Sequence, residues 1–267
     1  HDPPGTSEAE VSTAALIDAQ LRVAGYEVER GSDPSELVAV FRNGPGNTLL
    51  YRTDAGAAAV TGQHRIHDLQ ITWLLGMARA LAQLRTEWRG TLVLESQPAR
   101  LLGRAVKLGQ DAARRLGPLP NPVWMLAFRA AAVPFGSLFS AQGKRQPGAH
   151  DVDIHFGSIG AFSTSARAPE APGLAAALST SFGTPQSVQF AYFLIGVSPS
   201  PREPQEPDPG DQLAGDRDST GGELDLRAIP LGSTLATLGV LQLLGKQAHS
   251  PSASPSWGGS NDGPHDD

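Results

Sequence analysis

The side chains best suited to chemistry fall in a few places along this 267-residue chain. His64 and His67 are three residues apart, which puts both on one side of a helix, and Asp68 follows directly. With Asp54 upstream and Glu95 downstream they could assemble a mononuclear metal site, since a catalytic zinc takes three protein ligands and keeps one position open. The competing reading makes the histidines a remnant pair and Asp68 a helix N-cap, and the shortage of ligands favours it. Asp151, Asp153 and His155 share one face of a strand-like run and read as a solvated outer face. Ser163, Thr164 and Ser165 offer hydroxyl nucleophiles, but no Gly-x-Ser-x-Gly elbow or suitably placed base accompanies them. Gly44-Pro45-Gly46 is a turn rather than a phosphate loop, because no Lys-Ser/Thr pair follows. Arg114 and Arg115 read as a solvated helix face.

Composition removes whole classes of function. The chain has no cysteine, which excludes a disulfide framework, an iron–sulfur cluster and every thiolate zinc site. The net charge of -6 argues against a general nucleic-acid binder. No apolar run approaches the ~18 residues of a membrane span and no secretory leader is visible, so a cytoplasmic protein without a membrane partner is expected. The chain begins at His1 rather than Met, and its natural start is expected to lie upstream. Arg202 to Glu223 holds seven acids against two bases, a net of -5, and the stretch from His249 adds three acids with no Lys or Arg. Both stretches are rich in Pro, Gly and Ser and bury too little apolar surface to offset the entropy of ordering. They are expected to be a disordered linker (197–223) and tail (248–267), leaving a nearly neutral body.

The elements that must position these side chains follow from periodicity. Ser7 with Glu10 is a capping-box start, and Val11, Ala14, Ala15, Leu16, Ala19 and Val23 continue a helix that Gly25 ends. Leu37–Arg42 and Thr48–Thr53 read as strands joined by the turn 43–47. Gln70–Arg85 reads as a helix, Thr91–Glu95 as a buried strand, Leu101–Leu116 as a helix and Val123–Phe128 as another buried strand. That alternation predicts an α/β layer with a mostly parallel sheet. After Pro134, strands are predicted over Leu138–Gln142, Ala149–Phe156 and Ser187–Gly196. A short helix is predicted over Pro172–Ser179 and an apolar one over Leu231–Lys246.

Read in order, these fragments resemble the zinc-dependent amidohydrolases that cleave N-acyl amino acids, including hippurate and auxin-conjugate hydrolases, within the larger family of co-catalytic-zinc aminoacylases and carboxypeptidases. His1-Asp2-Pro3-Pro4, Glu8, Thr13-Ala14 and Gly25-Tyr26-Glu27-Val28 resemble the family's opening. Arg52-Thr53-Asp54 resembles its Arg-Ala-Asp-Met-Asp strand end, and His67-Asp68 with Leu74-Leu75-Gly76 its Cys-Gly-His-Asp-Gly-His helix start. Trp88 to Leu92 and Gln97-Pro98-Ala99 resemble the strand ending in Gln-Pro-Ala-Glu-Glu. Gly148 to Gly157, Gly160 and Pro169 resemble its lid, and Tyr192–Gly196 with Thr237 to Val240 its last strand and helix.

The resemblance implies a partial three-layer α/β catalytic-type domain over 1–133 and 185–247, with a truncated α+β lid and dimerisation insertion over 134–184. It implies metal-dependent hydrolysis of an amide bond in an N-acyl amino acid or peptide. Two zinc or other divalent ions would carry the reaction, with a glutamate taking a proton from the bridging water. Matched position by position, His67 falls at a ligand histidine and Asp54 at the orienting aspartate, with His64 as a further candidate ligand. Arg65 or Ile66 stands at the cysteine, Gly56 at the second aspartate, Arg100 and Leu101 at the paired glutamates, Arg129 at a ligand histidine and Ala161 at the lid histidine. The late ligand has no counterpart near Leu224–Arg227. Two arginines in place of ligands oppose a metal, because unit charges ~4 Å apart interact by several kcal/mol even at an effective dielectric near 20 and a guanidinium cannot shed its proton. A catalytically inactive relative without a binuclear site is therefore expected. The alternatives are a weak hydrolase on Asp54, His64 and His67, and an interaction protein that forms homodimers through the exposed edge of Ala149–Phe156.

Overall fold

The structure, a computed structural model, describes residues 8–54, 64–97, 112, 114–140, 154, 163–164, 189–199 and 224–246. Helix α1 (Glu8–Val23) forms because Ala14, Ile17 and Leu21 recur on one buried face. The chain leaves it through Gly25, with the amides of Gly25 and Tyr26 donating to the Arg22 and Leu21 carbonyls at 3.0 Å each. Strands β1 (Glu27–Arg30), β2 (Leu37–Asn43) and β3 (Thr48–Asp54) follow, then helix α2 (His64–Gln83), which starts six residues before the predicted Gln70. Strand β4 (Gly90–Gln97) is buried along its whole length. Next come β5 (Trp124–Pro134), β6 (Ser137–Ser140), β7 (Ser163–Thr164), β8 (Gln189–Ser198) and helix α3 (Ala228–Leu244).

The strands form one mixed sheet in the order β1-β2-β4-β3-β5-β8-β6-β7. Its centre is parallel, β4 with β3, β3 with β5 and β5 with β8, while β1–β2, β2–β4 and β8–β6 are antiparallel. The α/β class expected from the sequence is what the described residues form. Two cores flank the sheet. One lies under α1, α2 and α3 and includes Leu49, Tyr51, Leu92, Leu94, Trp73, Met77 and Leu235. The other, on the opposite face, joins Val38, Val40, Leu50, Val93, Met125, Ala127 and Tyr192 to Ala112. The strands therefore bury alternate residues on both sides, as the sheet of a layered α/β domain requires.

The two strands joined by the turn 43–47 are not neighbours. β4 lies between them, antiparallel to β2 and parallel to β3, so the loop crosses the start of β4. Asn43 Nδ2 donates to the carbonyls of Arg85 and Trp88 at 2.8 Å, and the Thr91 amide donates to Asn47 O at 3.0 Å. The crossing demands glycine at Gly90, whose φ is +116° and where a Cβ would strike the Asn47 carbonyl. Gly90→Ala is expected to lower stability by at least ~1 kcal/mol, read from the urea midpoint at constant slope.

The domain boundary expected after residue 133 falls within β5, and residues 141–153, 155–162 and 165–184 of the expected insertion lie outside the described residues. β5 runs to Pro134, and β6 turns back to pair with β8, Leu138 opposite Ile195. Of the helix predicted over Leu101–Leu116, residues 112 and 114–116 are described and helical. The Ala149–Phe156 strand, apart from the half-buried Ile154, and the Pro172–Ser179 helix lie outside the described residues. Of the linker expected over 197–223, Val197 and Ser198 instead end β8, and residues 200–223 lie outside the described residues, as does the tail expected over 248–267. No helix among the described residues is long and apolar enough to cross a membrane.

Candidate functional site

In a sheet with a parallel centre, ligands gather at the carboxyl ends of the strands. There β3 ends in Arg52-Thr53-Asp54, β4 in Glu95-Ser96-Gln97, and α2 begins at His64. Strand alternation sorts these residues onto two faces. Arg52 follows Leu50, and Glu95 and Gln97 follow Val93, on the face away from α2. Thr53 follows Tyr51 and Ser96 follows Leu94, on the face beneath α2.

The face away from α2 holds a buried polar chain. Arg52 is 1% exposed and Glu95 0%, with 3.9 Å between Arg52 Nε and Glu95 Oε2. Arg52 Nη2 donates to Gln97 Oε1 at 2.7 Å, and Gln97 Nε2 donates to Glu36 Oε1 at 2.9 Å. Glu36 accepts from the Asp33 amide at 3.3 Å and is itself buried. A single guanidinium thus faces one carboxylate directly and reaches a second through a neutral amide, spanning β3, β4 and the residue preceding β2. Arg129 sits half-buried on the same face of β5, in register with Leu194 of β8.

On the other face, His67 is buried in the first turn of α2. Gln70 Oε1, one turn on, accepts from the Ala130 amide of β5 at 3.0 Å, which pins this end of α2 over the strand tips. Burial pushes the Tyr51 phenol above its usual range, so it stays protonated and supplies no base.

These positions revise two readings. Glu95 is no partner for His67 in a metal site, because the two lie on opposite sides of the sheet and Glu95 faces Arg52. Asp68 is not an N-cap, because α2 begins four residues earlier; it is exposed within the helix. His64 and His67 do share one helix, a turn apart, as their spacing required. Asp54 ends β3 in register with Gln97, and the side chains of Asp54 and His64, like residues 98–101, lie outside the described residues. Ser163 and Thr164 form β7 beside β6, away from this end of the sheet. The Arg52–Gln97–Glu36 chain was not anticipated. Its signal was a lone Arg and a lone Glu inside two otherwise apolar runs, since opposite charges in buried strands must pair.

Among the described residues no three His, Cys, Asp or Glu side chains are placed to share an ion. The buried carboxylate nearest the strand tips already has a guanidinium as its counter-charge.

The fold and site define a layered α/β protein with a mixed sheet and a polar cluster at its carboxyl strand ends. No protein-family model matches the chain. Solved structures resemble it in fold. The YXEP protein of Bacillus subtilis, a dinuclear metal binding peptidase from the M20 family, aligns with a TM-score of 0.55 at 13% identity, over 91% of this chain and 95% of that one. A protein of methicillin-resistant Staphylococcus aureus assigned as an aminohydrolase aligns with a TM-score of 0.61 at 12% identity, over 87% and 91%. The LapA aminopeptidase of Legionella pneumophila aligns with a TM-score of 0.57 at 12% identity, over 90% and 66%. At such identities the likeness is one of fold: the chain has the α/β architecture of these peptidases and aminohydrolases.

Proposed function

We propose that the chain is a non-catalytic protein built on the architecture of the metal-dependent amidohydrolases and peptidases. The observation that carries this reading is Arg129, half-buried on β5 on the same face as Arg52 and Glu95, at the position where the resembling family has a ligand histidine. A guanidinium keeps its charge at any ordinary pH and repels a divalent ion. In this reading the insertion is reduced to residues 134–184, and any small ligand is an N-acyl amino acid or peptide that is bound rather than cleaved. Protein purified without chelator should contain well under one zinc per chain. It should hydrolyse no N-acyl amino acid when Zn²⁺, Mn²⁺ or Co²⁺ is supplied. About one tightly bound zinc per chain, lost on His67→Ala, would overturn the reading.

The burial of His67 at the start of α2, a turn from His64, favours a second reading: a weak hydrolase using a reduced divalent-metal site at Asp54, His64 and His67. Turnover with any one of the three metals, abolished by Asp54→Asn, would establish it. A homodimer through the Ala149–Phe156 edge belongs to either reading, and light scattering showing only monomer at high concentration would remove it.

A further inference from the structure

Strand β1 ends the sheet, and among the described residues no strand lies beyond it. The Gly31 amide donates to the Glu36 carbonyl at 2.9 Å, one step past the Arg30–Leu37 pair of the antiparallel β1–β2 ladder. Hydrogen-bonded pairs alternate in such a ladder, so Glu27 and Glu29 turn their peptide groups toward β2. The N–H and C=O groups of Val28 and Arg30 therefore face outward, where a further strand would add. An open row of this kind is a template for pairing with another chain.

The last turn of α1 lies along that row. The Tyr26 amide donates to the Leu21 carbonyl at 3.0 Å, and the Arg22 guanidinium donates through Nη2 to the Val28 carbonyl. Asp18, one turn back on α1, holds Arg22 in place by accepting from its Nε at 2.6 Å. The same carboxylate accepts from Arg30 Nε at 3.4 Å, while Arg30 Nη1 donates to the Pro34 carbonyl at 2.7 Å. Two guanidiniums thus share one carboxylate at the edge. Glu27 and Glu29 do not offset them, because Arg42 at 2.7 Å and Arg115 at 3.2 Å already engage those carboxylates. The Arg22 side chain is 55% exposed, and exposed ion pairs add little to stability. What its position on an outward carbonyl governs is which chains can approach.

We propose that Arg22 closes the β1 edge against a second copy of this chain, and that without it two β1 strands pair antiparallel across a two-fold axis. Such a pairing sets Val28 of each copy opposite Arg30 of the other, and both residues turn their N–H and C=O groups outward. With Arg22 in place, each copy must break its bond to Val28 and bring its own pair of arginines against the other pair. Without Arg22, each edge keeps one guanidinium, Arg30, matched by one carboxylate, Asp18. Closure of this edge does not depend on whether the strand tips hold a metal.

Sedimentation equilibrium of the full chain tests this, with the mean mass read against wild type over a range of concentrations. Arg22→Ala should associate beyond the wild-type state. A wild-type pair gives up one charge-assisted hydrogen bond in each copy, so the variant's added step should have a dissociation constant at least ~10-fold lower. Arg22→Lys, which keeps the charge and a donor, should stay at the wild-type mass. Adding Arg30→Pro to Arg22→Ala removes an outward N–H that β2 does not use, a change an edge strand tolerates, and should restore the wild-type mass. The closed edge is overturned if Arg22→Ala follows the wild-type curve, if Arg22→Lys associates as readily as Arg22→Ala, or if the association persists with Arg30→Pro.

Discussion

Replacing Arg52 with leucine is expected to cost ~3–5 kcal/mol of stability, read as a drop in the urea midpoint with an unchanged slope. Arg52 is 1% exposed and lies 3.9 Å from a carboxylate that is 0% exposed. Its removal leaves the Glu95 charge buried without this guanidinium and takes the donor from Gln97 Oε1. The penalty comes from what remains rather than from the pair itself, because taking two charges out of water costs about as much as their attraction returns. Arg52→Met combined with Glu95→Met should therefore recover most of the loss. Glu95→Gln alone should cost about as much as Arg52→Leu, since it leaves the buried guanidinium without this carboxylate. If Arg52→Leu shifts stability by less than ~1 kcal/mol, the guanidinium is not the counter-charge of Glu95.

Gly232→Ala is expected to destabilise the helix layer. The Gly232 Cα faces the Trp73 indole so closely that an added methyl would collide with the ring atoms. Trp73 is wholly buried, and its Nε1 donates to the Ala228 carbonyl at 2.7 Å. The indole therefore joins α2 to the first turn of α3 through both packing and a hydrogen bond, and cannot swing aside without leaving its N–H unpaired. The substitution should cost ~1–3 kcal/mol by overpacking. Trp73→Ala, which empties the site instead, should cost ~3–5 kcal/mol. The double variant Gly232→Ala with Trp73→Phe should be less damaged than the sum of its parts, because the smaller ring lacks the edge that the methyl meets. Strict additivity would show that the two residues do not share the contact.

The apolar periodicities were enough to place α1, most of α2 and the buried centres of β4, β5 and β8, because burial on one face or both writes itself into residue spacing. Element ends were harder to read. α2 starts at His64, in a stretch with mixed charges and no apolar stripe, and Gln70 in the next turn accepts from the Ala130 amide. The fourth strand's place between the second and third was invisible, since a loop of five residues suits either a hairpin or a crossing, and only the close approach of Gly90 to Asn47 shows which one forms.

The site divides in the same way. The sequence by itself excluded thiolate chemistry, since it has no cysteine, and its resemblance puts Arg129 where the family has one ligand and His67 where it has another. It could not say which surviving side chains meet. Residues one apart on a strand point to opposite faces, and register between strands is set by the packing of both faces at once. Only the tertiary structure could put Glu95 across the sheet from His67, give its charge to Arg52, and leave Thr53 and Ser96 as register partners on the opposite face.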